Sequence, residues 1–307
     1  MFVGNFLSTA SFLGDPSRRL FWASLLSSAL IAILVIKLQG RPLSLKFIRR
    51  VFFSKKYWIN QSTKTDLKYF FINCGVKSLL AMLFVGTQLI VTMSIAFTLQ
   101  QNFGSVNSID LPWILIASIF TLVFFVVEDL SRFLLHRAMH LIPFLWEYHK
   151  IHHSAEVLTP LTVHRVHPIE MCLYYVRGIL VFGVVSGVFV YIFGNKLSAL
   201  DILGVDALGF LFNMIAANLR HSHIWLSFGR LEKIFISPAQ HQIHHSSAVE
   251  HHDTNFGTCF ALWDRLCDSW LAAGLTPKRL RFGISDQPVL NEDKRQNLTS
   301  PKERCEI

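Results

Sequence analysis

Charge is scarce in this chain: Asp, Glu, Lys and Arg make up 16% of its 307 residues, whereas 52% are apolar. An ordinary soluble domain carries about a quarter charged residues, so that class is excluded. Cysteine is sparse and scattered. The five thiols (Cys74, Cys172, Cys259, Cys267, Cys305) form no Cys-x-x-Cys pair, which excludes a disulfide framework or a zinc ribbon and suits a reduced, cytosol-facing protein. No HExxH is present, and no acid precedes a histidine by three places, so neither a zinc protease motif nor the Glu-x-x-His pairs of a soluble helical bundle are available. There is no internal repeat, glycine-rich nucleotide loop or low-complexity tract.

What the chain has is long uncharged runs with basic flanks. The formal charge of +9 comes largely from Lys and Arg clusters beside apolar segments, which suits anionic lipid head groups and leaves no soluble basic module for nucleic acid. Residues 20–36 are uncharged and read as a retained membrane helix, since a signal peptide has a shorter apolar core and a small-residue cleavage site. Residues 37–77 hold ten Lys or Arg against one acid, Asp66, which places this loop in the cytoplasm and the N-terminus outside. Residues 78–99 form a second span, and 100–110, without a basic residue, an external loop. Asp110 and Pro112 mark a helix start with a capping carboxylate and an early proline. A third span covers 113–127, and the same helix continues past the membrane edge through Arg132 to His140, where Pro143 ends the helical run. Residues 178–194 and 197–219 read as a returning hairpin, with Asp201 and Asp206 near the outer end of the second limb. A re-entrant pair is the alternative. From Leu275 onward polar residues dominate, as expected of a poorly ordered tail.

All fourteen histidines lie between His136 and His252. Three segments share one pattern: HRAMH (His136, His140), HKIHH (His149, His152, His153) and HQIHH (His241, His244, His245). Spacings of three and four put side chains on one helical face, and neutral imidazole is a common ligand for zinc and iron. Eight such residues exceed one four-coordinate zinc, so two metal ions are expected. Asp129 stands seven residues before His136 and eleven before His140, within about 20° of each around the helix. It is a candidate to orient a ligand imidazole, with a helix-end salt bridge to Arg132 as the alternative. His164 and His167 precede the fourth span as ligands, substrate contacts or interfacial residues, and Asn218 shares a helical face with His221, near a metal-bound water. His223, His251 and His252 are given no role beyond a possible position behind the ligands for His252.

HxxxH, HxxHH and a later HxxHH, together with EDLSRFLLHRAMH, His167-Pro168, SPAQHQIHHS and the closing NFG and WDR, resemble the fatty acid hydroxylase and sterol desaturase superfamily of membrane di-iron oxygenases over about residues 111–271. The resemblance implies an all-α, polytopic membrane fold of four or five spans under a cytoplasmic histidine-rich cap. It adds His221, in NLRHSH, to the ligands, and makes His167 the stronger of its pair because family members often show an HP there. It further implies two iron ions, O₂ as co-substrate, a membrane lipid as substrate and an external electron donor such as a ferredoxin, cytochrome b5 or reduced pterin, since no HPGG segment marks a fused cytochrome b5. The expected divisions are 1–110, membrane helices and basic loop; 111–272, the catalytic domain; and 273–307, a disordered tail. A zinc-dependent membrane hydrolase is the competing enzyme class. A metal transporter or sensor is a third reading, opposed by clusters that follow the spans rather than lying inside them.

Overall fold

The computed structural model describes residues 14, 19–106, 109, 111–194, 208, 211–212, 214–215 and 217–284. Among the described residues the chain is helical, with isolated β-bridges and no strand. The expected membrane segment 197–219, Asp110, Asp201 and Asp206, and residues 285–307 of the tail lie largely or wholly outside them.

Helix α1 (Trp22–Leu38) turns Ser24, Ser28, Ala32, Val35 and Ile36 inward. This narrow stripe packs with Leu219 and Ile224, just around the histidine of the NLRHSH segment. Ser44 caps α2 (Leu45–Phe53), Ser54 caps the single turn α3 (Lys55–Trp58), and the side chain of Asn60 accepts from Thr63 N at the start of α4 (Gln61–Leu83). Helix α5 (Thr87–Phe103) follows after a 46° bend. The uncharged run 78–99 is therefore not one straight span. Gly86, at φ 76°, takes the left-handed conformation that stops α4's successor from being its continuation.

Helix α6 (Trp113–Leu141) is 29 residues long, on the order of 43 Å, which exceeds a hydrocarbon core of about 30 Å. One stripe runs its length: Ile116, Phe120 and Phe124 in the apolar half, then Asp129, Phe133, His136 and Met139. The helix ends at Leu141, and Pro143 opens α7 (Pro143–His153), as the proline rule requires. Helix α8 (Pro168–Phe193) returns alongside α6, packing Val185 and Phe189 on Ile116, Phe120 and Phe124. Against α5 it presents Gly183 and Gly187, where a Cβ would lie 2.4 Å and 2.6 Å from the side chains of Val91 and Ile95. Small residues four apart let the two backbones approach closely. Where the polar ends begin, Arg177 of α8 makes two 2.7 Å bonds to Glu128 of α6, which Arg132 also reaches.

By length and composition α6 and α8 can cross a membrane, and the bent pair α4 and α5 makes a third candidate; α1, at 17 residues, is apolar but shorter. Leu26, Leu30, Leu34, Leu89, Met93 and Phe97 are exposed on these helices, an apolar surface a soluble protein would bury. The described residues thus hold two or three membrane-capable helices where four or five were expected. The short helices α9 (Pro238–His244) and α10 (Leu262–Leu266) complete the cap, α9 with a reciprocal capping box between Ser237 and Gln240.

Candidate metal centre

Three helix ends meet beneath the cap. The last turns of α6 carry His136 and His140, α7 carries His149, His152 and His153, and α9 with its C-cap carries His241, His244 and His245. Histidines recur at i+3 and i+4 because only that face of each helix meets the others. The result is two groups: His136, His140, His149, His153 and His244 in one, and His152, His221, His241 and His245 in the other, the ligand atoms of each lying within 4.8 Å of one another. The adjacent pairs His152–His153 and His244–His245 each divide between the groups, so the two are contiguous; the rings of His153 and His245 stack at 4.5 Å.

The nitrogen atoms test whether a metal fits. His140, His149, His153 and His244 each bury an Nε2 without a hydrogen-bond partner, a cost the fold would not carry for packing alone. In the second group His221 Nε2 stands 3.1 Å from His241 Nε2, 3.2 Å from His245 Nε2 and 3.3 Å from His152 Nε2. Four nitrogens at 2.0–2.1 Å around a tetrahedral ion are about 3.3–3.4 Å apart, so this crowding is that of a ligand set converging on one point. Burial lowers the pKa of His149 to about 3 and of His152 to about 4, and holds those of His153, His221, His241, His244 and His245 well below the ordinary range. These imidazoles are neutral at physiological pH, the form that ligates a cation.

An outer ring fixes the first group. His136 Nδ1 donates to the Phe256 carbonyl (2.7 Å), His244 Nδ1 to the Thr254 carbonyl (2.8 Å) and His149 Nδ1 to Glu170 Oε1 (2.9 Å). Carbonyl oxygens only accept, so in His136 and His244 the proton sits on Nδ1 and the Nε2 lone pair faces inward; burial raises the Glu170 carboxyl to about 7, and in its ionised form it sets His149 the same way. His140 Nδ1 lies 3.7 Å from Asp253. The loop supplying these carbonyls is itself anchored. Asn255, buried at φ 57°, bonds the Leu271 carbonyl and accepts from Leu271 N; Asp264 accepts from Phe256 N and Gly257 N. Gly257 is obligatory by space, since a Cβ would meet the Phe260 carbonyl at 2.6 Å. The NFG and WDR segments are thus the clamp on His136 and His244.

The three proposed non-ligand residues lie elsewhere. Asp129 does share the inner face of α6, but its carboxylate accepts from Cys259 N (2.7 Å), Phe260 N (3.0 Å) and Trp263 Nε1 (2.9 Å), and touches no imidazole. Nor does it pair with Arg132, which bonds Glu128 instead. Once folded, three donors from a turn 130 residues away meet its carboxylate. Asn218 Nδ2 donates to the Arg19 carbonyl. His167 caps α8, its Nδ1 accepting from Ile169 N, with Tyr148 beside its ring. His164, His223, His251 and His252 join neither group; His223 stacks on Tyr57 at 4.0 Å. Glu170 was missed by sequence reasoning, although an acid in the first turn after His167-Pro168 points back toward the preceding histidine segment. A cavity of about 360 Å³ adjoins both groups and is lined by His136, His149, His152, His221 and His241.

The family model described as fatty acid hydroxylase matches residues 121–269. Over 141 residues, 46% of its length, the chain is 26% identical to ornithine lipid hydroxylase OlsE of Rhizobium tropici, of which that covers 38%. It is 26% identical to alkylglycerol monooxygenase of Caenorhabditis elegans over 53% of itself and 28% of that protein. Against methylsterol monooxygenase erg25B of Aspergillus fumigatus the identity is 27%, over 56% of the chain and 54% of the relative. The chain thus spans about half or less of the length of each. No solved structure matches it.

Proposed function

Residues 121–269 of this chain belong to the fatty acid hydroxylase family, and from that premise we propose that the protein is a membrane-bound oxygenase that hydroxylates or desaturates a lipid. The observation that carries the reading is the pair of buried all-histidine groups, assembled at the polar end of α6, a helix long enough to emerge from a bilayer, with the short helices α7 and α9 beside it. Two iron ions would be held by His136, His140, His149, His153 and His244, and by His152, His221, His241 and His245. When bound, they supply the activation of O₂ that oxidation of an unactivated C–H bond needs and that zinc does not provide. The hydrolase alternative is not favoured, because the three relatives named above are a hydroxylase and two monooxygenases.

The protein's own residues bind, orient and keep dry. Glu170 and the Thr254 and Phe256 carbonyls hold three imidazoles in one tautomer, so no reorganisation is required during turnover. The cavity sets one C–H bond beside both groups. Hydroxylation consumes the lipid, O₂, two electrons and two protons and yields the alcohol and one water; desaturation of a CH–CH pair with the same inputs yields the alkene and two waters. The electrons come from an external donor, a ferredoxin, cytochrome b5 or reduced pterin. The excess of basic residues in 37–77 supports a cytoplasmic side for this loop and, with it, the cap, where such donors are found. Residues 111–272 would be the catalytic unit.

Expression in a host followed by lipid extraction under ¹⁸O₂ tests the proposal. A lipid gaining labelled oxygen identifies a hydroxylase, and one losing two hydrogens without label a desaturase. Turnover that persists without O₂ and takes its label from H₂¹⁸O overturns the oxygenase reading.

A further inference from the structure

Beyond the ligand histidines, the cavity has a second composition. Arg19, Lys77, Arg132, Arg177 and Arg220 line it, against one carboxylate, Glu170, which is already engaged with His149. Arg132 and Arg177 share Glu128. Among the described residues no carboxylate pairs with Arg19 or Arg220. Arg220 is 4% exposed; one Nη2 proton goes to the Gly257 carbonyl, and its Nε is buried with no partner. Burial, then the neighbouring Arg220 and Arg132, pushes the Arg19 guanidinium down to about 9, while Asp129 and Asp264 offset the charge of Arg220 only from a distance. A buried guanidinium without an ion-paired acceptor, as at Arg220, is costly, and guanidinium donors at close quarters match phosphate and carboxylate oxygens. Met171, Tyr174 and Tyr175 on α8 supply an apolar wall beside these cations.

We propose that this cavity is a head-group pocket, and that the substrate is a lipid carrying a phosphate or carboxylate close to the carbon that reacts. The inference rests on the oxygenase reading above and narrows its substrate class. A cavity of about 360 Å³ that touches both the cations and five ligand histidines leaves little distance between anion and reacting carbon, so oxidation falls near the polar end of the lipid. A sterol, whose polar end is a single hydroxyl, would leave the five cations as they are.

The full-length, metal-loaded protein in detergent is offered matched lipids of one acyl chain, lysophosphatidate and monoacylglycerol, and inorganic phosphate alone, with binding read by native mass spectrometry. The anionic lipid should bind about tenfold more tightly than the neutral one, as expected for a charge-assisted guanidinium–phosphate contact. Lys77 is exposed, so Lys77→Gln should fold normally and reduce the preference; Arg220→Gln should abolish it, with metal content and melting temperature reported alongside. If Arg220→Gln fails to fold, Lys77→Gln and Arg132→Gln together carry the test. Equal binding of the two lipids, or a preference that survives these substitutions, overturns the pocket. Phosphate binding as tightly as the anionic lipid does so too, since it makes the site one for a free anion. Oxidation of a neutral lipid in the ¹⁸O₂ experiment would sink the head-group proposal alone and leave the oxygenase standing.

Discussion

The two histidine groups differ in how they are held. In the group around His140, three Nδ1 atoms end on acceptors outside the site: Glu170, the Thr254 carbonyl and the Phe256 carbonyl. In the group around His221 the Nδ1 atoms of His241 and His245 find no partner, while the Nε2 atoms of His152, His241 and His245 stand 3.1–3.3 Å from that of His221. The first is organised from outside by a clamp that Asn255, Asp264 and Asp129 brace. The second converges through the packing of α7, α9 and the NLRHSH turn. A metal centre can therefore be pre-formed by two routes in one cap, and each route fails to a different mutation.

The largest effects come from the ligands. His140→Ala and His221→Ala should each abolish lipid oxidation in a membrane assay while the protein still inserts, and each should strip metal from its own group first. Behind the ligands, Glu170→Gln should weaken metal binding by about 10–100-fold in the His140 group and leave the His221 group unchanged, measured by chelator competition. Asp253→Asn should cost less. Its contact with His140 is 3.7 Å and its side chain 42% exposed, while asparagine tolerates its φ of 55°. An Asp253 effect equal to that of Glu170 would break the claim that the buried 2.9 Å bond to Glu170 is the stronger tie.

Acid should act on both groups. The folded pKa values of His149, His152, His153, His221, His241, His244 and His245 lie below the unfolded value of 6.5, so the unfolded chain takes up protons first. Stability contributed by these groups is full above about pH 6.5 and lost as pH falls toward 4 and 3, the values reached by His152 and His149. Melting temperature and retained metal should decline together through that window. A flat profile between pH 7 and 4 would contradict the neutral-imidazole account. The smallest expected effect is Lys150→Gln, which removes an exposed pair with Glu147 and should change stability by about 0–1 kcal/mol in a denaturant titration.

How far the sequence reached follows from the range of each interaction. Spacings of three and four are local, so eight histidines could be named before any fold was known; the family resemblance added His221, and the structure gathers all nine into two groups. The continuation of α6 from an apolar span to His140 was legible for the same reason. Asp129 was placed on the right face but given the wrong partner, because its donors at Cys259, Phe260 and Trp263 reach it only through tertiary packing. Residues 78–99 read as unbroken because hydropathy does not register Gly86, whose left-handed φ bends the chain by 46°. The cationic cavity was invisible in the sequence: Arg19, Lys77, Arg132, Arg177 and Arg220 come from five separate stretches that only the fold brings together.

The central claim is that nine histidines hold two ions in two groups. Iron content per chain, measured by plasma mass spectrometry on protein purified with iron supplied, tests it directly. The wild type should carry about two metals and His241→Ala/His245→Ala about one, with the His140 group still filled. A wild type with one metal per chain, or a double variant that keeps both, would contradict the account.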